Sequence, residues 1–263
     1  MNATRIALGV EYGGEGFHGF QRQAHARSVQ AALEAALARV ADRPVTVVCA
    51  GRTDRGVHAT AQVVHFDAEV DRGERAWTLG VNRYLPADIA VVWAQQVSPH
   101  FHARYSARRR HYRYLISNRH GRPGLWSGRV TWHPRPLDPV AMGEAALDLV
   151  GRHDFSAFRA AECQARHPIR TVFRIAIAER GSIVSVDLIA NAFLHHMVRN
   201  IIGVLLPIGR GDAPVTWAGE VLRGRDRARA GVTAPPDGLY FTGVDYPAGH
   251  QLPRPPAAPR LID

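Results

Sequence analysis

Nine residues, Gly51-Arg52-Thr53-Asp54-Arg55-Gly56-Val57-His58-Ala59, concentrate the groups that could do chemistry. They join one carboxylate, a guanidinium on either side of it, two glycines and an imidazole. The apolar run Val45-Thr46-Val47-Val48-Cys49 precedes them, and Gln62-Val63-Val64-His65-Phe66 follows. A loop pinned between two core strands, with one acid among fixed positive charges, is where an enzyme holds a reactive carboxylate. The same pattern also fits a strand-to-strand turn with ordinary surface charges, so the rest of the chain has to decide.

A second cluster runs from Arg104 to Tyr114, with five arginines and three tyrosines in eleven residues. That mixture suits a phosphate backbone and an unstacked base. As a strand it would place Arg110, Tyr112 and Tyr114 on one face, and His111 and Arg113 on the other. Half-buried strand tyrosines are the ordinary alternative. A third cluster is Asn191-Ala192-Phe193-Leu194-His195-His196-Met197-Val198-Arg199-Asn200. On a helix of roughly 3.6 residues per turn, the two histidines diverge by about 100° and could not grip one ion, so no metal is expected. Arg199, in a mostly apolar helix, needs an anionic partner if buried. Gly16-Phe17-His18-Gly19-Phe20 echoes the glycine-aromatic signature of RNA-recognition domains, but follows the first strand instead of lying on an inner one. It reads as a glycine-rich loop with aromatic contacts, continuing into Gln21-Arg22-Gln23.

The charge narrows the possibilities. The 33 basic residues outnumber the 23 acidic ones, for a formal +10 and a pI near 10.6. All of them are arginine, which leaves no lysine for a Schiff base, a pyridoxal-phosphate anchor or a Walker A loop. Such an excess points to a polyanionic partner, most often nucleic acid. The two cysteines, Cys49 and Cys163, have no paired spacing, which argues against a disulfide framework or a zinc ribbon. Cys49, in an apolar run, reads as core packing. The apolar stretch Ile201–Ile208 is too short to span a bilayer. No signal-peptide pattern is read at the N-terminus. Cytoplasmic localisation without a membrane association is therefore expected.

These groups need a scaffold, and the hydrophobic pattern supplies one. Ile6, Leu8, Val10 and Tyr12 alternate over a strand, and Ser28 caps a helix with the stripe Val29, Leu33, Ala36, Leu37 and Val40. Strands flank the Asp54 loop, a helix covers Glu74 to Tyr84 before Pro86, and Ile89 to Val97 is a strand. The order is β-α-β-β-α-β, the split ferredoxin-like unit with an antiparallel sheet and helices on one face. The remainder repeats it with decorations. His111–Ser117 is a strand, Val140–Val150 a helix, Thr171–Ala178 and Ile183–Ile189 strands, Phe193–Leu206 a helix and Leu239–Tyr246 a strand. The expected class is α+β. Residues 1–103 form an N-terminal half carrying the aspartate loop; 104–263 form a C-terminal half ending in the proline-rich tail Leu252-Pro253-Arg254-Pro255-Pro256, read as extended.

Taken in order, the Gly51–Ala59 loop, Thr78-Leu79-Gly80-Val81-Asn82, Phe101-His102-Ala103-Arg104-Tyr105-Ser106, Tyr112-Arg113-Tyr114, Asp154-Phe155-Ser156-Ala157-Phe158-Arg159, Phe193–Asn200 and Gly238-Leu239-Tyr240 closely resemble the tRNA pseudouridine synthase A (TruA) family. The resemblance runs from Ile6 to Leu252. It implies a pseudouridine synthase fold of two ferredoxin-like (RRM-like) halves around a cleft. It also implies a cofactor-independent homodimer that isomerises uridine to pseudouridine at positions 38, 39 and 40 of the tRNA anticodon arm. The family's catalytic aspartate falls on Asp54, its active-site tyrosine on Tyr112, the arginine two before the aspartate on Arg52, and the arginine paired with the carboxylate on Arg199. RNA contacts are expected at Arg52, Tyr112, Arg22, Arg104, Arg110 and His58. Three positions depart from the family: Arg55 replaces a small residue, Gly13 an aspartate and Phe20 a tryptophan. A non-catalytic tandem RNA-binding protein explains the charge but leaves Asp54 without a purpose. A carboxylate hydrolase lacks a second placed acid or a metal site.

Overall fold

A computed structural model describes residues 3–70 and 72–253. The proline-rich tail lies outside the described residues from position 254 on. Contacts divide the chain into two units, Met1–Arg108 with Tyr240–Asp263, and Arg109–Leu239.

The first unit starts with β1 (Thr4–Tyr12), α1 (Val29–Ala41), β2 (Val48–Cys49) and β3 (His58–Ala68). It continues with the short α2 (Gly73–Arg75), a π-helical turn at Ala76–Gly80, and β4 (Ile89–Gln96). β1 lies between β4 and β3, antiparallel to both. The other edge of β3 takes β2 antiparallel at His65 and Val64, and β10 (Leu239–Asp245) parallel at His58 and Ala59. The strand order of the first four strands is that of a ferredoxin-like unit.

Local chemistry explains the helix ends. Ser28 Oγ accepts from the Ala31 N–H at 3.4 Å, and Asp42 closes α1 in the left-handed region at φ 57°. The face of α1 built from Val29, Leu33, Ala36 and Leu37 is buried. Glu34 shares it at 4% exposure. One of its oxygens accepts from the Val47 N–H at 3.0 Å and the Gln30 amide at 2.9 Å, and the other pairs with the Arg22 guanidinium. This bond corrects the first expected strand, read over 45–49: the Val47 N–H goes to a helix carboxylate, so the ladder keeps only Val48 and Cys49. The expected helix over 74–84 is also shorter and not uniformly α. Its π turn carries Trp77, which packs edge-on against Phe66 with centroids 5.1 Å apart.

The second unit contains β5 (Arg109–Asn118), β6 (Thr131–His133), α3 (Pro139–Leu147), β7 (Gly151–Asp154), β8 (Ile169–Arg180), β9 (Ile183–Ala190), α4 (Met197–Gly209) and α5 (Trp217–Gly224). β9 pairs antiparallel with β5 and β8, β7 antiparallel with β8, and β6 parallel with β5. The succession β5-α3-β8-β9-α4-β10 repeats the β-α-β-β-α-β order, with β6, β7 and α5 as additions. Tyr114, Ile116, Val184, Val186 and Leu188 from the sheet and Ile201, Val204 and Leu205 from α4 are fully buried. The fold is thus α+β with largely antiparallel strands.

The helix expected over 193–206 begins later, at Met197. His196 sits at φ 61°, a left-handed conformation that breaks a helix, and the Met197 N–H turns back to Leu194 O at 3.0 Å. His195 and His196 therefore precede the helix, and their rings lie 4.1 Å apart. Helical geometry therefore does not separate these two rings, contrary to expectation.

Glu34 tests the first unit's packing. Glu34→Ala leaves a buried backbone N–H without its acceptor, and should lower unfolding free energy by about 3 kcal/mol in urea titrations.

Candidate active site

Asp54 is half-buried on the turn between β2 and β3, with Arg52 and Arg55 exposed beside it. Its backbone is held by the loop after β1. The Phe20 N–H donates to Thr53 O at 3.0 Å, the Gly56 N–H to Phe17 O at 3.3 Å, and the Val57 N–H back to Asp54 O at 3.2 Å. Gly19, at φ 102°, lies so close that a Cβ there would meet Thr53 O at 2.8 Å. Gly14 touches Val57 more tightly still, leaving its added Cβ only 2.0 Å from the carbonyl oxygen. Only glycine permits this contact of backbone with backbone. Phe17 and Phe20 point inward at 1% exposure each, so the loop's aromatics anchor it.

A second set of bonds grips the turn from the sheet. The Tyr12 and Thr53 hydroxyls lie 2.8 Å apart, and the buried Gln62 amide donates to Gly51 O at 2.6 Å and to the Tyr12 hydroxyl at 3.4 Å. Burial pushes the Tyr12 phenol well above its ordinary range, so it stays protonated as a donor. His58 belongs to β3. It is 1% exposed, stacks on Tyr240 at 4.7 Å, and accepts the Gly14 N–H on Nδ1 at 3.0 Å. It is a structural post under the turn.

Arg52 and Arg104 both lie within electrostatic reach of Cys49, whose thiol burial pushes up to about 12 against the pull of the two cations. That value agrees with Cys49 as core packing. Arg104 is placed by the segment around it. The Ala103 N–H donates to His65 Nδ1 at 3.1 Å, Tyr246 Oη donates to Ala103 O at 2.7 Å, and His102 Nδ1 accepts the N–H groups of Arg104 and Tyr105 at 3.2 and 3.1 Å. Arg5, paired across the strands with Asp67, ties the same segment down through Pro99 O and Phe101 O. Arg22 is committed to Glu34, with 60% of its side chain still exposed. Arg55 is exposed, and the structure offers no account of it.

In the second unit, Tyr112 and Tyr114 are buried on β5. The Tyr112 ring meets Phe193 edge-on at 4.9 Å, and Arg110 donates to Asn191 O at 2.8 Å. Arg113, across β5 from Tyr112, forms a two-pronged pair with Asp187 on β9 at 2.7 and 3.0 Å, so this arginine serves the sheet. Arg199, half-buried on α4, donates from Nε to Ala234 O at 2.7 Å, while the Ala234 N–H donates to Arg199 O at 3.1 Å. Its positive charge also reaches the buried Tyr114 phenol.

Asp54, Arg52, Arg104, Tyr112 and Arg199 are the residues expected from the sequence; the groups that hold these segments were not read there: Tyr12, Gln62, Gly14 and Gly19 for the turn, and His65 for the 101–105 segment. The available signal was polar residues inside apolar strands, since Gln62 and His65 interrupt Val63-Val64-Phe66.

His65 makes this unit acid-sensitive. Burial first, then the positive charges of His102 and Arg5, lower its pKa from 6.5 to about 4. The unfolded chain takes up this proton near pH 6.5, whereas the folded chain resists it until about 4. Stability present above 6.5 is therefore lost as pH falls through this window. Melting temperature should drop between pH 6.5 and 4, and His65→Gln, which carries no proton, should give a flatter curve from a lower starting value.

Comparison with known proteins places this arrangement. A family model described as tRNA pseudouridine synthase matches residues 9–106 and 145–247, spanning Asp54 and Arg199, with Arg110 and Tyr112 between the matched stretches. The tRNA pseudouridine synthase A of Nitrosococcus oceani is 56% identical over 250 residues, covering 95% of this chain and 96% of that protein. Proteins of the same name from Pseudomonas aeruginosa, at 53% over 98% and 91% of the two chains, and Dechloromonas aromatica, at 56% over 95% and 96%, are similar throughout. With its signature turn in place and such identity end to end, the chain belongs to the tRNA pseudouridine synthase family.

Proposed function

We propose that this protein isomerises uridine to pseudouridine in tRNA, at positions 38, 39 and 40 of the anticodon arm. The observation that carries the reading is the Gly51–Ala59 turn, with one half-buried carboxylate on a backbone cradled by a glycine loop, in a chain more than half identical to tRNA pseudouridine synthases A. The reaction breaks the C1′–N1 bond, rotates the uracil and joins C1′ to C5; the C5 proton is lost and N1 gains one. Atoms balance without electrons or an energy carrier, so the chemistry requires no cofactor.

Asp54 is the proposed catalytic group. As an anion it can attack C1′, attack C6, or take the 2′ proton, and each route needs the ionised form. Arg199 is proposed as the cation that keeps the carboxylate ionised. Tyr112 is proposed to stack on the target base and take the C5 proton, since it offers both a ring and a phenol. The uridine must leave its stack before reacting, and Arg52 is proposed to fill or clamp the vacated place. Arg104, Arg110 and Arg22 are proposed phosphate contacts. His58 is proposed to support the turn. Among the described residues no helix is long and apolar enough to cross a membrane. Cytoplasmic localisation and a homodimeric state are part of this proposal on the strength of the family resemblance. A non-catalytic tandem RNA-binding protein is disfavoured, because an acid among phosphate-binding arginines hinders that task.

Incubating tRNA with the protein alone should yield pseudouridine, detected by selective chemical labelling because the isomer has the mass of uridine. Asp54→Ala should abolish the product while leaving the fold intact; product from that variant would refute the assignment. Arg199→Met should lower turnover by at least about 100-fold, the scale of a lost electrostatic contact in a water-excluded site. Much of the tRNA affinity should persist in a filter-binding assay, and wild-type turnover would remove Arg199 from the catalytic set.

A further inference from the structure

A short 3-10 turn at Arg227–Arg229 leads into a strap that packs on α4. Residues 230–235 lie against α4 through an unusually close backbone contact. A Cβ on Gly203 would stand 1.9 Å from Val232 O, and one on Gly231 would stand 2.2 Å from Gly203 O. Two glycines facing one another let the strap and the helix touch main chain to main chain.

Polar bonds lock this contact. Asn200, next to Arg199 on α4, is fully buried. Its Oδ1 accepts from Arg227 Nη2 at 3.0 Å and from the Thr233 hydroxyl at 2.7 Å, and its Nδ2 donates to Phe158 O at 2.9 Å. Arg227 Nη2 also donates to Thr233 Oγ1 at 2.9 Å, and Nη1 to Gly231 O at 3.0 Å. The Tyr114 hydroxyl donates to Pro235 O at 2.8 Å from the sheet side. Between these anchors lies Ala234, whose carbonyl receives Arg199 Nε and whose N–H returns to Arg199 O. A guanidinium is planar, so fixing Nε fixes the plane of the whole fork.

We infer that Thr233, Asn200 and Arg227 are positioning residues for catalysis: they hold the 230–235 strap against α4 so that Ala234 O orients the Arg199 guanidinium. The inference rests on the proposed catalytic role of Arg199. None of the three touches substrate in this account. Their effect is transmitted through one carbonyl, and small displacements of a reacting constellation carry large rate costs.

The test compares Thr233→Val, which removes the hydroxyl at nearly constant volume, with Thr233→Ser, which keeps it. Thr233→Val should lower kcat roughly tenfold with KM for tRNA within about twofold, and Thr233→Ser should stay near wild type. Hydrogen exchange at Arg199 Nε, assigned by its loss in Arg199→Met, should quicken in Thr233→Val and not in Thr233→Ser. Wild-type kcat in Thr233→Val, or a lower kcat with unchanged exchange at Arg199 Nε, would overturn the inference. Failure of the underlying reading looks different: Arg199→Met would itself turn over normally, whatever the exchange rates show.

Discussion

The site's architecture depends on one requirement: a turn that presents a half-buried carboxylate must satisfy the backbone that carries it. Burying even part of such a turn leaves peptide groups that cost free energy unless paired. Here the loop after β1 supplies the partners, and it can approach because Gly14 and Gly19 carry no Cβ. Tyr12, Thr53 and Gln62 brace the turn from the sheet side. The main chain around Asp54 is thereby committed to partners outside the turn.

A similar division of labour runs through the arginines. Several arginines serve the fold itself, including one from the 104–114 cluster. Arg113 pairs across the sheet with Asp187, Arg5 bridges Asp67 and the 99–101 carbonyls, and Arg227 builds the strap beside α4. A guanidinium suits these places because its rigid fork of donors serves several acceptors at once. The count of 33 arginines thus overstates how many cations face a partner. Arg52 and Arg104, which share electrostatic reach of Cys49, mark where positive charge gathers near the Asp54 turn within the first unit.

Much of the fold was legible. Alternation and capping signals located β1, α1, β4, β5, β8 and β9 to within a few residues, because their apolar faces are buried as the pattern implies. The errors share one cause. Val47 gives its N–H to Glu34 and drops out of the strand, and His196 adopts a left-handed conformation that delays α4. Both are settled by a partner or a backbone angle remote from local propensity. His58 is a further case, since an imidazole in a polar motif gives no local sign that it is buried with Tyr240 stacked on it.

The amino-acid sequence alone determined the family, the α+β class and the exclusion of lysine chemistry. These follow from residue types and short spacings, which are local information. Tertiary structure decided which side chains are supports: Tyr12 and Gln62 under the turn, His65 under the 101–105 segment, Asn200 and Thr233 behind Arg199. Each of these is a bond between positions far apart along the chain. Whether a polar side chain meets water or a buried carbonyl depends on what the fold packs against it, and no spacing in the sequence carries that information.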